Sequence, residues 1–124
     1  MYDKELVLNI LTQIFEATQK ISFRIEPIQS ANDFITAPDG LEKLDSICML
    51  LIAIGESLKK IDKITNGELL SQYPQVDWKG AKGIRDIIAH QYFDIDAEEI
   101  FWVCSHQLNP LSLTIKKIIN ELKI

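Results

Sequence analysis

Two long stretches of apolar residues stepping by threes and fours leave this chain little choice but to fold as packed helices. Between Val7 and Ile28, the residues Val7, Leu11, Ile14, Thr18, Ile21, Ile25 and Ile28 fall on one stripe, which Ile10 and Phe15 widen. From about Leu41 to Thr65, Leu44, Ile47, Leu51, Ile54, Leu58, Ile61 and Ile64 form a second stripe. A helix with one apolar face must bury it against another element, so the two patterns call for helix-on-helix packing. Pro27 has no backbone N–H and biases Glu26 away from helical geometry, so the first helix is expected to end near there. Asn66-Gly67 is a C-terminal stop for the second. Between them, SANDFITAPDG mixes turn formers with Phe34 and Ile35 and reads as a connection with room for one short helical turn, in which little function is expected.

The remaining chain keeps the same character. GELLSQYPQVDW, interrupted by Pro74, leads into a third helix from around Trp78 to about His90. Asp96 followed three residues later by Glu99 has the spacing of a capping box, so a fourth helix opens there and runs through Ile100, Val103 and Cys104. Pro110 is expected to break or kink it before LSLTIKKIINELK resumes helical periodicity. No alternating run is long enough for a sheet. The expected class is all-α, an antiparallel up-down bundle of four to five main helices.

With 124 residues, 47% of them hydrophobic, the chain can build one core, and residues 1–124 are read as a single helical domain. The strongest apolar run, Ile47 to Gly55, is followed by Glu56, Lys59 and Lys60 and is too short to span a bilayer. Asp3, Lys4 and Glu5 precede any apolar stretch, and no small-residue cleavage site follows, so the start does not resemble a secretory signal and the expected location is the cytoplasm. Cys48 and Cys104 sit apart within apolar patterns, without Cys-x-x-Cys or histidine spacing. They read as buried thiols rather than as a disulfide or a zinc site. A net charge of −5 argues against coating nucleic acid by bulk electrostatics. A local site is still possible, because Lys79, Lys82 and Arg85 recur every three residues as a basic approach to one spot.

That spot is IRDIIAHQYF, residues 84 to 93, which places one of only two histidines beside an arginine and two aromatics. Arginine and histidine suit attack on a phosphodiester, since guanidinium forks onto phosphate oxygens and imidazole carries a proton near neutral pH. No metal is required by such a pair. With RNA, the 2′-hydroxyl is an internal nucleophile: His90 can accept its proton or donate one to the leaving 5′-oxygen, while Arg85 stabilises the charge of the transition state. At roughly 100° per residue, Arg85 and His90 lie about 140° apart around a helix, whereas Arg85 and Tyr92 differ by about 20°. Either the long Arg85 side chain and a helix ending near His90 close the gap, or two chains pair so that both copies of the motif line one cleft, and the paired arrangement is favoured. The competing reading is structural: imidazolium complements a helix C-terminus, and Arg85-Asp86 is a solvated face.

Residues 85 to 92, R-D-I-I-A-H-Q-Y, resemble the R-x-x-x-x-H-x-Y signature of HEPN-domain proteins of the HepT-like toxin group. Ile54-Gly55-Glu56 resembles that family's I-G-E segment. Tyr73-Pro74 and Val76-Asp77-Trp78 resemble the stretch before its motif helix, and Tyr92-Phe93-Asp94-Ile95-Asp96 resembles its exit. Leu108-Asn109-Pro110-Leu111 resembles its late L-P-x-L stretch, with Asn109 as an insertion. The likeness covers roughly residues 40 to 120. It implies a HEPN-like bundle that forms a homodimer with the motif at the interface and acts as a metal-independent endoribonuclease on RNA. It also implies the toxin part of a type II/VII-like toxin–antitoxin system, whose nucleotidyltransferase antitoxin adenylylates the motif tyrosine. Carried over residue by residue, Arg85 and His90 are catalytic, Asp86 supports them, and Tyr92 is the modified residue. Gly83 takes the place of the small residue often found before the arginine. No cofactor or metal site is implied.

An alternative of a different class is a non-catalytic partner or scaffold for the nucleotidyltransferase, which the acidic net charge keeps open. A nucleotide-binding helical protein is a third, though no phosphate-cradling glycine-rich loop supports it. Outside the motif, His106 reads as structural and Gly55 as permitting close helix approach. Glu56 reads as a polar bundle residue or a partner to a basic side chain. Trp78 and Trp102 read as packing or interface aromatics, and Tyr2 and Tyr73 as packing residues. Lys59, Lys60 and Lys63 read as a solvated face that could add to an RNA-binding surface.

Overall fold

The structure, a computed structural model, describes residues 2–91 and 93–124. In chain order the helices are α1 (Lys4–Ile25), α2 (Asn32–Ile35), α3 (Pro38–Thr65), α4 (Trp78–His90), α5 (Ala97–His106) and α6 (Leu108–Leu122), with a 3-10 turn at Leu70–Gln72 before α4. No strand occurs among the described residues. The all-α bundle follows from the two stripes: α1 packs against α3 and α6, and α3 packs against α4.

The ends of the helices have local causes. Asp3 caps α1, its carboxylate accepting from the Leu6 N–H at 3.0 Å. The helix stops at Ile25, two residues before Pro27. Helix α3 starts earlier than its apolar stripe, at Pro38, whose fixed φ and missing donor suit a first turn. Asn66 and Gly67 end it at φ 54° and 72°, and the Gly67 N–H reaches back to the Asp62 carbonyl at 2.8 Å. Asp77 caps α4 by accepting from Gly80 N–H, and Asp96 caps α5 by accepting from Glu98 and Glu99 N–H. Pro110 does not break a helix. Helix α5 has already ended at His106, and Pro110 sits in the first turn of α6, where an N–H has no intrahelical partner to lose.

Ile14, Ile21, Ile47, Leu58, Ile61, Ile115 and Ile118 are all but inaccessible to water and form the centre of the core. Each such side chain contributes roughly 1.5–3 kcal/mol through removal from water. The α1–α3 connection also takes part: Phe34 of α2 is fully buried and meets Phe101 of α5 edge-on, with ring centroids 6.4 Å apart. Helix α4 runs antiparallel to α3 and rests chiefly on it. A groove of about 240 Å³, lined by Leu51, Ile54, Ala81, Ile84 and Leu111 among others, separates its other flank from the corner between α5 and α6. The position of α4 is therefore set by α3. Gly55 marks the crossing, since a Cβ there would lie 3.2 Å from the Arg85 Cβ and 3.2 Å from the Lys82 carbonyl oxygen. Among the described residues, no helix is long and apolar enough to cross a membrane.

Candidate active site

Ile84 and Ile88 are the buried residues of α4 and fix its rotation about its own axis. With those two turned inward, Arg85 is swung toward α3, and Asp86 and His90 face solvent. The guanidinium of Arg85 lands on Glu56, its Nε 2.8 Å from Glu56 Oε1. One terminal nitrogen donates to Asp86 Oδ1 at 3.1 Å. Lys59, one turn along α3 from Glu56, brings its Nζ to 3.7 Å from Asp86 and 4.0 Å from Glu56. Two cations and two carboxylates thus alternate across the α3–α4 crossing. Pairs this exposed are screened by water and add little to stability, so the cluster matters for where it holds its groups. The hydrogen bond from Arg85, followed by the charge of Lys59, holds the Asp86 carboxyl below its ordinary range.

His90 is oriented differently. Its Nδ1 lies 2.7 Å from the backbone carbonyl of Asp86, one turn back. A carbonyl only accepts, so Nδ1 carries the hydrogen and Nε2 of the neutral ring keeps its lone pair, exposed to solvent. Asp86 therefore touches both motif residues, Arg85 through its carboxylate and His90 through its main chain. No hydrogen bond joins Arg85 to His90 among the described residues. Tyr92 lies outside the described residues. The face expected to be shared by Arg85 and Tyr92 therefore also falls outside the described residues.

The basic approach expected from Lys79, Lys82 and Arg85 is largely neutralised, because Lys82 pairs with Asp62 of α3 and Arg85 with Glu56 and Asp86. Glu56 takes the second of its two sequence readings, as partner to a basic side chain. Lys59, read as part of a solvated face, belongs to the cluster. The signal available was Gly55 next to Glu56, a mark of close crossing. What the periodicity left open was which helix crosses there. Gly83 is not a contact point, since a Cβ on it would meet nothing within 4 Å.

Other groups with chemical potential lie elsewhere. His106 stacks on Trp102 with ring centroids 4.9 Å apart, and its Nδ1 is 3.1 Å from the Trp102 carbonyl. Tyr73 is buried, its hydroxyl bonded to Glu121, and its backbone carbonyl accepts from the Trp78 indole N–H at 2.8 Å. Cys48 is buried and Cys104 half-buried, both as free thiols. Burial pushes them up to about 11 and about 12 respectively, so neither is a thiolate nucleophile at neutral pH. No group of three or more His, Cys, Asp or Glu side chains among the described residues is placed to hold a metal ion.

Comparison with known proteins agrees with the motif. Residues 14–118 match the family described as Ribonuclease HepT-like. Two relatives from Methanocaldococcus jannaschii, each provisionally named an RNase, are 30% and 28% identical over 78 residues, which is 63% of this chain in both cases. The matches span 64% and 61% of the length of those relatives. A further relative from Caldanaerobacter subterraneus, also provisionally named an RNase, is 27% identical over 107 residues, covering 85% of this chain and 89% of its own. No solved structure matches the chain. The family match takes in most of the bundle and the whole of α4, and this chain belongs to the HepT-like ribonuclease family.

Proposed function

We propose that the protein is a metal-independent endoribonuclease, the toxin of a toxin–antitoxin pair, that cleaves RNA with Arg85 and His90 in a cleft between two copies of the chain. The observation that carries this reading is the orientation of His90. Its Nδ1–H is engaged by the Asp86 carbonyl, which leaves Nε2 as an exposed base at the end of α4. In the proposed step the 2′-oxygen attacks the adjacent phosphorus and its proton passes to Nε2. The bond from phosphorus to the 5′-oxygen breaks, and the leaving oxygen takes a proton from the second copy's histidine. The products are a 2′,3′-cyclic phosphate and a 5′-hydroxyl. Arg85 stabilises the charge on the phosphate oxygens as they rearrange.

A second copy is invoked because Arg85 and His90 do not meet within one chain. The surface beside the motif suits such pairing. Met49, about two turns from Glu56 on the same face of α3, is 67% exposed, and Phe93 just beyond α4 is 95% exposed. Names given to relatives support RNA as substrate. Incubation of purified protein with RNA and a chelator should yield cyclic-phosphate ends, and His90→Ala should lower the rate about 100- to 10,000-fold without unfolding the protein. A chelator-abolished cleavage would remove the metal-independent mechanism. Equal cleavage by His90→Ala would take the reaction away from His90, and absence of cleavage by the native protein would return it to the role of a non-catalytic partner of a nucleotidyltransferase.

A further inference from the structure

Arg85 has five N–H groups, and the α3–α4 crossing engages a defined subset of them. Glu56 holds the Nε side at 2.8 Å, and Asp86 takes one hydrogen from a terminal nitrogen at 3.1 Å. The terminal nitrogens keep three further N–H groups, which can donate to phosphate oxygens. We propose that Glu56 is the positioning residue for Arg85: from α3 it anchors the Nε side of the guanidinium and turns the terminal nitrogens toward the substrate phosphate.

Three features support this role. Gly55 lets α4 approach so closely that a Cβ would stand 3.2 Å from the Arg85 Cβ, which places the neighbouring Glu56 within reach of Nε. Lys59 sits 4.0 Å from Glu56 and 3.7 Å from Asp86, so the two carboxylates do not confront an incoming phosphate uncompensated. Asp86 alone cannot fix the guanidinium, because it is the adjacent residue on the same helix and moves with it. An anchor on a second helix defines a direction. A long side chain held in this way enters the reaction with its rotamer already chosen, so less freedom is lost when the transition state forms.

The inference rests on the proposed ribonuclease reading, and its test separates the two. In a steady-state RNA cleavage assay, Glu56→Ala should lower kcat about 10- to 100-fold, the scale of a misplaced reacting group. KM should be unchanged or lower, because the substrate meets one negative charge fewer. Glu56→Gln, which keeps shape and loses charge, should fall between Glu56→Ala and the native protein. A nitrogen-15 spectrum of arginine side chains supplies a readout independent of cleavage: the Arg85 Nε–H signal, assigned by its absence in Arg85→Ala, should move toward the free-arginine position in both Glu56 variants. Thermal melts of each variant identify any loss of fold, and Glu56→Gln carries the test should Glu56→Ala not fold. An unchanged Nε–H signal overturns the proposal, as does an unchanged or increased kcat in folded Glu56→Ala. Cleavage that survives Arg85→Ala defeats the ribonuclease reading instead, while the spectrum still reports on the Glu56 anchor.

Discussion

A histidine bonded through Nδ1 to the carbonyl one turn back owes its tautomer to the helix and not to any neighbouring side chain. For His90 the carbonyl belongs to Asp86, whose carboxylate meanwhile serves Arg85. The two functions of this one residue can be separated. Asp86→Asn should leave the His90 Nδ1–H tautomer intact, seen as an unchanged pair of ring nitrogen signals, while cleavage falls because Arg85 has lost a charged partner. Acid should have a related effect. Arg85 and then Lys59 depress the Asp86 carboxyl below its ordinary 3.8, so whatever stabilisation the contact gives is present above that value and is lost only as pH falls through the lower folded value. A carbon-13 titration of the Asp86 carboxyl should therefore show it ionised at pH 4, and Arg85→Ala should shift its midpoint upward. A midpoint indifferent to Arg85→Ala would mean that the contact is not maintained in solution. Arg85 and His90 were singled out in sequence by their chemistry and by the motif they resemble. The two separate attachments of Asp86 were not, since a backbone acceptor leaves no mark in residue type.

At the scale of elements, the apolar stripes fixed α1 and α3 because three- and four-residue stepping has no other physical meaning over such lengths. The segment interrupted by Pro74 located the start of α4, the Asp96 capping box that of α5, and Asn66-Gly67 the end of α3. Pro110 misled for a definite reason: proline disrupts a helix interior but suits a first turn, and residue type alone does not say which of the two it occupies. Gly55 was read as permitting close helix approach, but that α4 is the helix crossing there was hidden, as was whether Gly83 meets any neighbour. In the structure the two glycines differ sharply. Replacing glycine by alanine inside a helix gains about 1 kcal/mol of propensity, and overpacking costs about 1–3 kcal/mol. At Gly83, with open space beyond its Cα, the gain stands alone. At Gly55 the new methyl would press on the Arg85 Cβ and the Lys82 and Ala81 carbonyls, so the cost wins. Gly83→Ala should raise the melting temperature and Gly55→Ala should lower it. Gly55→Ala should also reduce cleavage by moving Arg85 off Glu56. A Gly55→Ala protein as stable and active as native would mean that α4 shifts freely along α3.

At the scale of the whole molecule, α4 packs chiefly on α3 and ends at His90, two residues before Tyr92. Tyr92 is proposed as the place where a nucleotidyltransferase switches the enzyme off, and that proposal needs no helical face shared with Arg85. It depends on proximity along the chain. Two residues of backbone reach no farther than about 7 Å, so a nucleotide attached to Tyr92 is tethered beside His90 at high effective concentration. Its phosphate would be drawn to the terminal nitrogens of Arg85 that are proposed to bind substrate, and its base and ribose would occupy volume in the proposed cleft between two copies. Inhibition should then be strong with the dimer intact, as sedimentation of modified and unmodified protein can show. Tyr92→Phe should retain most of the cleavage rate, because the hydroxyl has no part in the proposed proton transfers. It should take up no adenylyl mass when incubated with the partner enzyme and ATP. Intact-mass measurement of native protein and Tyr92→Phe after that incubation decides the point. Equal labelling of both would place the switch on another residue, and loss of cleavage in unmodified Tyr92→Phe would give the phenol a role in the reaction itself.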